Sequence, residues 1–307
     1  MNESLKEKRI SWILLFSGIV CISVSAIFVK KAGINGISSA FYRMLFATLA
    51  ILPFYLRSRN KSMDWKGICF CLLGGVFFGI ELAFWNVAVM ISNATFPTLI
   101  VNLSSVWVGI GAMILFREKL NRFHWIGNAA ALLGVAILIG IGSILNMRVD
   151  RGFLFSIAAS VFLAAYVLAV KQVRRKHSTL QVVFFTFLSC TITLLVCSIA
   201  TGSPFYGFSP QTWIYLLCLG LVTQVGGYFS INYSLGHIDS SKVSLLTLIQ
   251  PILTAVFAVI LLNESFQLHQ LAGGCLVLAG LVIAVNIRPA LFRNKSTPKT
   301  EAVNNDS

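Results

Sequence analysis

Two ionisable side chains stand inside long apolar stretches of this 307-residue chain, Arg43 and Glu81. A charge buried in a membrane is costly and marks a functional site by default. Arg43 falls about seven residues into one apolar run, and Glu81 about nine residues from the matching end of the next. At about 1.5 Å per helical residue, each lies roughly 10–14 Å below the same surface. Similar depth on consecutive helices predicts an Arg43–Glu81 ion pair. The pair can act as a structural clamp, or Glu81 can hold a substrate amine or a coupling proton.

Glu81 and Trp85 are four residues apart, hence on one helical face, and Phe78 and Leu82 extend that stripe. Gln224, Tyr228 and Asn232 recur at the same spacing and predict a second stripe. One stripe is acidic and aromatic, the other amide and phenol. Together they suit a small zwitterionic or amine-bearing solute with an apolar part. The plainer alternative is that these polar groups only bond neighbouring helices together. Gln250-Pro251 lies in the middle of another run, where proline removes a donor and frees an upstream carbonyl. Freed backbone groups at mid-membrane face substrates in transporters, and a packing kink fits the same residues. Asn102, with Ser104 and Ser105, occupies the matching region of an earlier run, and Tyr166 is a further candidate by its depth. The candidate substrate-binding residues are therefore Glu81, Trp85, Asn102, Tyr166, Gln224, Tyr228 and Gln250, with Arg43 as the structural or coupling partner of Glu81.

Other chemistries lack their motifs. The sequence has no Gly-x-x-x-x-Gly-Lys phosphate loop, no His-Glu-x-x-His and no Gly-x-Ser-x-Gly elbow. The histidines 124, 177, 237 and 269 lie near the ends of apolar runs and form no metal-spaced set. All seven cysteines fall inside apolar runs, which indicates no disulfide framework. Neither an enzyme, a metal nor a cofactor is expected.

These residues need helices to position them, and the composition supplies them. The chain is 57% hydrophobic and 11% charged, with a mean hydropathy of +0.84. Soluble domains carry about 25% charged residues, so a soluble enzyme, a disordered chain and a disulfide-knit secreted domain are excluded. A spanning helix needs about 20 apolar residues. Ten runs qualify, at residues 12–30, 36–56, 66–90, 94–116, 122–145, 152–172, 179–200, 211–236, 240–262 and 268–287. They do not alternate as the strands of a membrane β-barrel would. The expected fold class is an all-α membrane protein of ten transmembrane helices.

Ten spans place both termini on one side. Nineteen of the 24 basic residues then collect on that side and four on the other, Arg43 being the remainder. Positive charge is retained in the cytoplasm. This predicts a multi-pass protein of the cell (inner) membrane with both termini cytoplasmic. The net charge of +14 therefore marks orientation, and no nucleic acid is expected as a partner. The expected partners are a small-molecule solute and the lipid bilayer. A homodimer is compatible with the sequence, which holds no evidence for one.

The chain also repeats itself. A shift of 146 residues places Asn86 on Asn232, Glu118 on Glu264, Gly127 on Gly273 and Gly134 on Gly280. Nearer the start the offset is about 141, and Trp65 matches Trp213 at 148. This divides the chain into a cytoplasmic N-terminus (1–11), a first five-helix unit (12–145), a second (152–287) and a polar tail (288–307) expected to be disordered. Five spans per unit insert the second copy upside down. Inverted-topology repeats are an architecture of secondary transporters, whose site lies between the copies.

Asn86-Val-Ala88 with Ser92-Asn-Ala94, Arg117-Glu-Lys-Leu-Asn121 and Gly127 to Gly134 carry a resemblance, repeated as Gln250-Pro251, Asn263-Glu264, Gly273 and Gly280. The chain resembles the EamA-type family of the drug/metabolite transporter superfamily over about residues 10 to 287. The resemblance implies a ten-helix transporter with a central cavity, often an exporter of amino acids or related metabolites. Ser105 stands where the second copy has Pro251, which leaves the shape of the fourth span open. An importer or exchanger of another metabolite (an amine or a nucleotide-like solute), a lipid-carrier flippase and a non-transport scaffold are the competing readings.

Overall fold

A computed structural model describes residues 2–58, 62–91, 95–140, 151–262 and 267–285. The expectations for Glu264, for Ser92 to Ala94 and for the tail 288–307 fall outside these residues. Among the described residues ten helices are long and apolar enough to cross a membrane. They are α1 (Glu7–Ala32), α2 (Gly36–Arg57), α3 (Trp65–Ala88), α4 (Leu99–Phe116), α5 (Arg122–Ile139), α6 (Arg151–Arg174), α7 (Thr179–Ala200), α8 (Pro210–Leu235), α9 (Ser240–Leu261) and α10 (Leu268–Val285). Their outward sides carry apolar residues such as Ile114, Ile199 and Ile260, as a surface facing hydrocarbon requires.

Polar residues set where the helices begin. The side chain of Asn35 accepts from the Ile37 amide ahead of α2, and Asn121 accepts from His124 ahead of α5. Ser178 and Gln181 form a reciprocal capping box at α7, and Ser209 followed by Pro210 opens α8. Each satisfies amides that a helix start leaves without partners.

The packing exchanges its partners. Helix α3 lies on α6 and α7, while α8 lies on α1 and α2. Exchanging the two copies turns the first set of pairs into the second. Helix α5 packs on α10 through glycines. A methyl on Gly127 would fall 2.3 Å from the Gly280 carbonyl oxygen, and one on Gly273 would fall 2.6 Å from that of Gly134. Repeat-related positions thus make the same contact in both directions.

The connecting loops follow the same rule. At the face opposite the termini, Ser38 Oγ donates to the Pro204 carbonyl at 2.8 Å, and Tyr42 Oη donates to that of Phe205. These bonds fasten the α7–α8 loop to the start of α2. At the terminal face, Gln181 Nε2 donates to the Ser62 carbonyl at 3.2 Å, and His177 meets Asp64 at 2.7 Å. These bonds fasten the α2–α3 loop to the start of α7. The two helices therefore run antiparallel, and Thr48 and Thr191 share a hydrogen bond of 2.9 Å midway along them.

Four spans are not regular α-helices. Helix α1 breaks at Val24 between Ser23 and Ser25, and the Ser23 carbonyl accepts from Thr254 of α9 at 2.8 Å. Helix α4 turns at Asn102 and Leu103, and α9 passes through a 3-10 turn at Thr247–Ile249. The fourth span is thus interrupted at Asn102 and Leu103, the positions that match Leu248 and Ile249 in the 3-10 turn of the ninth, just ahead of its proline. There Ser105 Oγ donates to the Asn102 carbonyl at 3.0 Å. In α8, residues Leu219–Tyr228 form a π-helix.

Candidate functional site

Arg43 sits about a third of the way along α2, 5% exposed, where α1, α2 and α8 converge. The break in α1 turns Ser25 toward it, and Arg43 Nη1 donates to Ser25 Oγ at 3.1 Å. Its Nη2 donates to Gln224 Oε1 of α8 at 2.8 Å. The Nε–H has no partner. The guanidinium lies 6.0 Å from the centre of the Tyr228 ring, within the range of cation–π attraction.

Glu81 is equally buried on α3, and its Oε2 has no partner. It acts on Arg43 through space, yet the two do not meet within the 4.0 Å of an ion pair. The expected Arg43–Glu81 pair is therefore replaced. Neutral oxygens from Ser25 and Gln224 reach the guanidinium first and turn it along α1 and α8.

Beside these charges three rings fill the space between α3, α6 and α8. Phe78 stacks on Tyr166 with centroids 4.4 Å apart, and Tyr228 lies 4.9 Å from Phe78. Tyr166 Oη donates to Asn232 Oδ1 at 3.3 Å, or accepts from Asn232 Nδ2 at 3.0 Å. Arg174, two turns further along α6, donates through Nε to the Asn232 carbonyl at 3.0 Å. Helix α6 thereby holds one residue of α8 by side chain and backbone together.

The fold brings together Arg43, Tyr166, Gln224 and Tyr228, with Glu81 within electrostatic reach. Trp85 follows one turn beyond Glu81 and is half-buried. Asn102 and Gln250 sit at the interruptions of α4 and α9, both half-buried. Gln224, Tyr228 and Asn232 do not lie at a uniform α-helical spacing, because the π segment widens the first interval. The Phe229 amide donates to the Gln224 carbonyl five residues back. The wide turn lets Gln224 reach Arg43 of α2 while Tyr228 reaches Phe78 of α3. π-bulges of this kind collect at functional sites. Ser25 escaped notice in the sequence. Its signal was slight: two hydroxyls, Ser23 and Ser25, in the middle of an apolar run.

A model of the EamA-like transporter family matches the chain twice, at residues 9–140 and 150–286. The chain belongs to the EamA-like transporter family. A solved structure shares the fold of this chain, with a TM-score of 0.79 and 17% identity, and covers 91% of this chain and 98% of that one. An uncharacterized transporter of Archaeoglobus fulgidus is 24% identical over 266 residues, 86% of this chain and 92% of its own length. A protein of Salmonella typhimurium described as "Probable amino-acid metabolite efflux pump" is 27% identical over 187 residues, 58% of this chain and 62% of that one. This EamA-like chain is therefore a multi-pass membrane protein of a transporter family, whose partners are a small-molecule solute and membrane lipid.

Proposed function

We propose that this protein is a secondary transporter that exports amino acids or related small metabolites by alternating access. One observation carries the reading. Two ionisable side chains, the Arg43 guanidinium and the Glu81 carboxyl group, are buried within electrostatic reach of each other near the meeting of the two copies, and they form no direct ion pair. Burying unpaired charge costs several kcal/mol, and a passing solute with charged and apolar parts would offset that cost. The rings of Phe78, Tyr166 and Tyr228 offer the apolar wall.

The exchanged contacts support an inverted repeat. The glycine seam between α5 and α10 is a smooth surface on which one copy can tilt against the other. The straps at the two faces are candidate gates, to be released alternately. The absence of a phosphate-loop motif favours a gradient over ATP as the driving force. The excess of basic residues on one side favours cytoplasmic termini in the inner membrane. The efflux name of the Salmonella relative favours outward movement. Transport without covalent chemistry needs no catalytic group, so no enzymatic activity is assigned.

Purified protein in liposomes, loaded with a labelled amino-acid panel on either side, tests the proposal. Saturable flux of at least one solute is expected. No flux for any of them, with the protein shown to be folded, overturns it.

A further inference from the structure

We infer that Arg43 is the recognition site for an anionic group of the cargo, a carboxylate, and that Gln224 holds that place while the site is empty. The inference rests on the transporter reading of the same site and adds the chemistry of what binds there. Three observations carry it. The two partners of the guanidinium, Ser25 Oγ and Gln224 Oε1, are both neutral. Its Nε–H is unpaired although the residue is 95% buried. The nearby carboxylate of Glu81 stays outside ion-pair distance and keeps an unpaired oxygen of its own.

Guanidinium presents its N–H groups as a rigid fork that suits a two-oxygen anion. On this guanidinium the edge formed by Nε and Nη2 is half used. Nη2 is bonded to the Gln224 oxygen, and Nε is bonded to nothing. An incoming carboxylate would take both positions and displace the Gln224 oxygen. Ser25 on Nη1 would keep the guanidinium in place meanwhile. The free oxygen of Glu81 is left for a positive group on the same solute. A structural clamp would instead have paired the two charges with each other.

The Gln224→Glu variant separates the two roles. It sets a permanent carboxylate where the cargo's would dock. A recognition site should then show higher thermal stability and at least tenfold weaker binding of carboxylate solutes. A structural clamp should gain the stability and keep the binding. The probes are matched sets: L-leucine, isoamylamine and 4-methylpentanoate, with L-phenylalanine, phenethylamine and 3-phenylpropionate, measured by ligand-induced thermal shift and by calorimetry. The inference is upheld if the compounds that bind the wild type carry a carboxylate and lose binding in Gln224→Glu. It is overturned if an amine without a carboxylate binds as tightly as its parent amino acid. It is also overturned if no carboxylate binds, or if Gln224→Glu binds carboxylates unchanged. Flux in liposomes judges the transporter reading separately. Movement of amines alone would leave that reading standing and remove this one.

Discussion

Glu118 at the end of α4 is joined to Ser241 at the start of α9 twice, through the backbone amide at 3.3 Å and the hydroxyl at 2.5 Å. The other carboxylate oxygen takes the amide and hydroxyl of Ser240 at 2.9 and 2.8 Å. The acid of one copy thus caps a helix of the other. It closes the terminal face with hydrogen bonds to a charged group, which are worth about 1.5–3 kcal/mol each. Glu118→Gln retains one accepting oxygen but turns an NH2 toward the remaining donors. The expected loss of stability is roughly 2 kcal/mol, read as a lowered Tm in detergent. Ser241→Ala should cost about 1.5–3 kcal/mol. The double variant should cost less than the two summed, because both act on one contact. Strict additivity would show that the contact is not formed.

Neighbouring glycines on α10 should respond oppositely to the same change. A methyl on Gly273 would lie 2.3 Å from the Leu138 amide nitrogen, whereas on Gly274 its nearest neighbour is Ile252 Cγ2 at 3.8 Å. Gly273→Ala must push α5 and α10 apart at a cost of about 1–3 kcal/mol. Gly274→Ala meets only ordinary contact, and in a helix alanine is favoured over glycine by up to about 1 kcal/mol. Thermal unfolding should order them Gly274→Ala, wild type, Gly273→Ala, from most to least stable.

The loop over the face opposite the termini is held mostly by rings. Tyr42 packs edge-on against Trp213 at 4.8 Å and Phe208 at 6.0 Å, and its hydroxyl bonds the Phe205 carbonyl. Each ring pair is worth about 0.5–1.5 kcal/mol, and the hydroxyl about 1 kcal/mol. Tyr42→Phe should therefore loosen the loop slightly and Tyr42→Ala substantially. Limited proteolysis of residues 201–209 should follow that order. Equal cleavage in both variants would transfer the role from the rings to the hydroxyl.

Glu81→Gln keeps the shape of the side chain and removes its charge. The expected result is at least a tenfold fall in flux, equivalent to about 1.4 kcal/mol, with the fold intact. Full transport with an unchanged pH profile would exclude Glu81 from both solute binding and proton coupling.

The ten spans and the doubled pattern were legible because both rest on local signals, runs of about 20 apolar residues and a fixed offset. The glycines of the α5–α10 seam stood out for the same reason. The Arg43–Glu81 pair misled because charge complementarity is the simplest rule for two buried ions, and sequence cannot show that Ser25 and Gln224 reach the guanidinium first. The uniform stripe of Gln224, Tyr228 and Asn232 assumed 3.6 residues per turn throughout, and the π segment breaks that assumption. The loop contacts of Pro204, Phe205 and Ser62 are made by backbone carbonyls, which carry no residue signature.

The wide turns of α8 have a bearing on polarity. Their counterpart, α3, is α-helical over Trp65–Ile91. Phe78 and Leu82 therefore follow an ordinary pitch, while Gln224 and Tyr228, the positions matched to them, do not. A pair of walls related by strict two-fold symmetry would present the same groups to both ends of a solute between them. Here one wall has kept its period and the other has been re-phased, so the two ends meet different groups. In the proposed transport, a duplicated scaffold would in this way offer a head and a tail, so that a solute with two unlike ends could be held in one orientation.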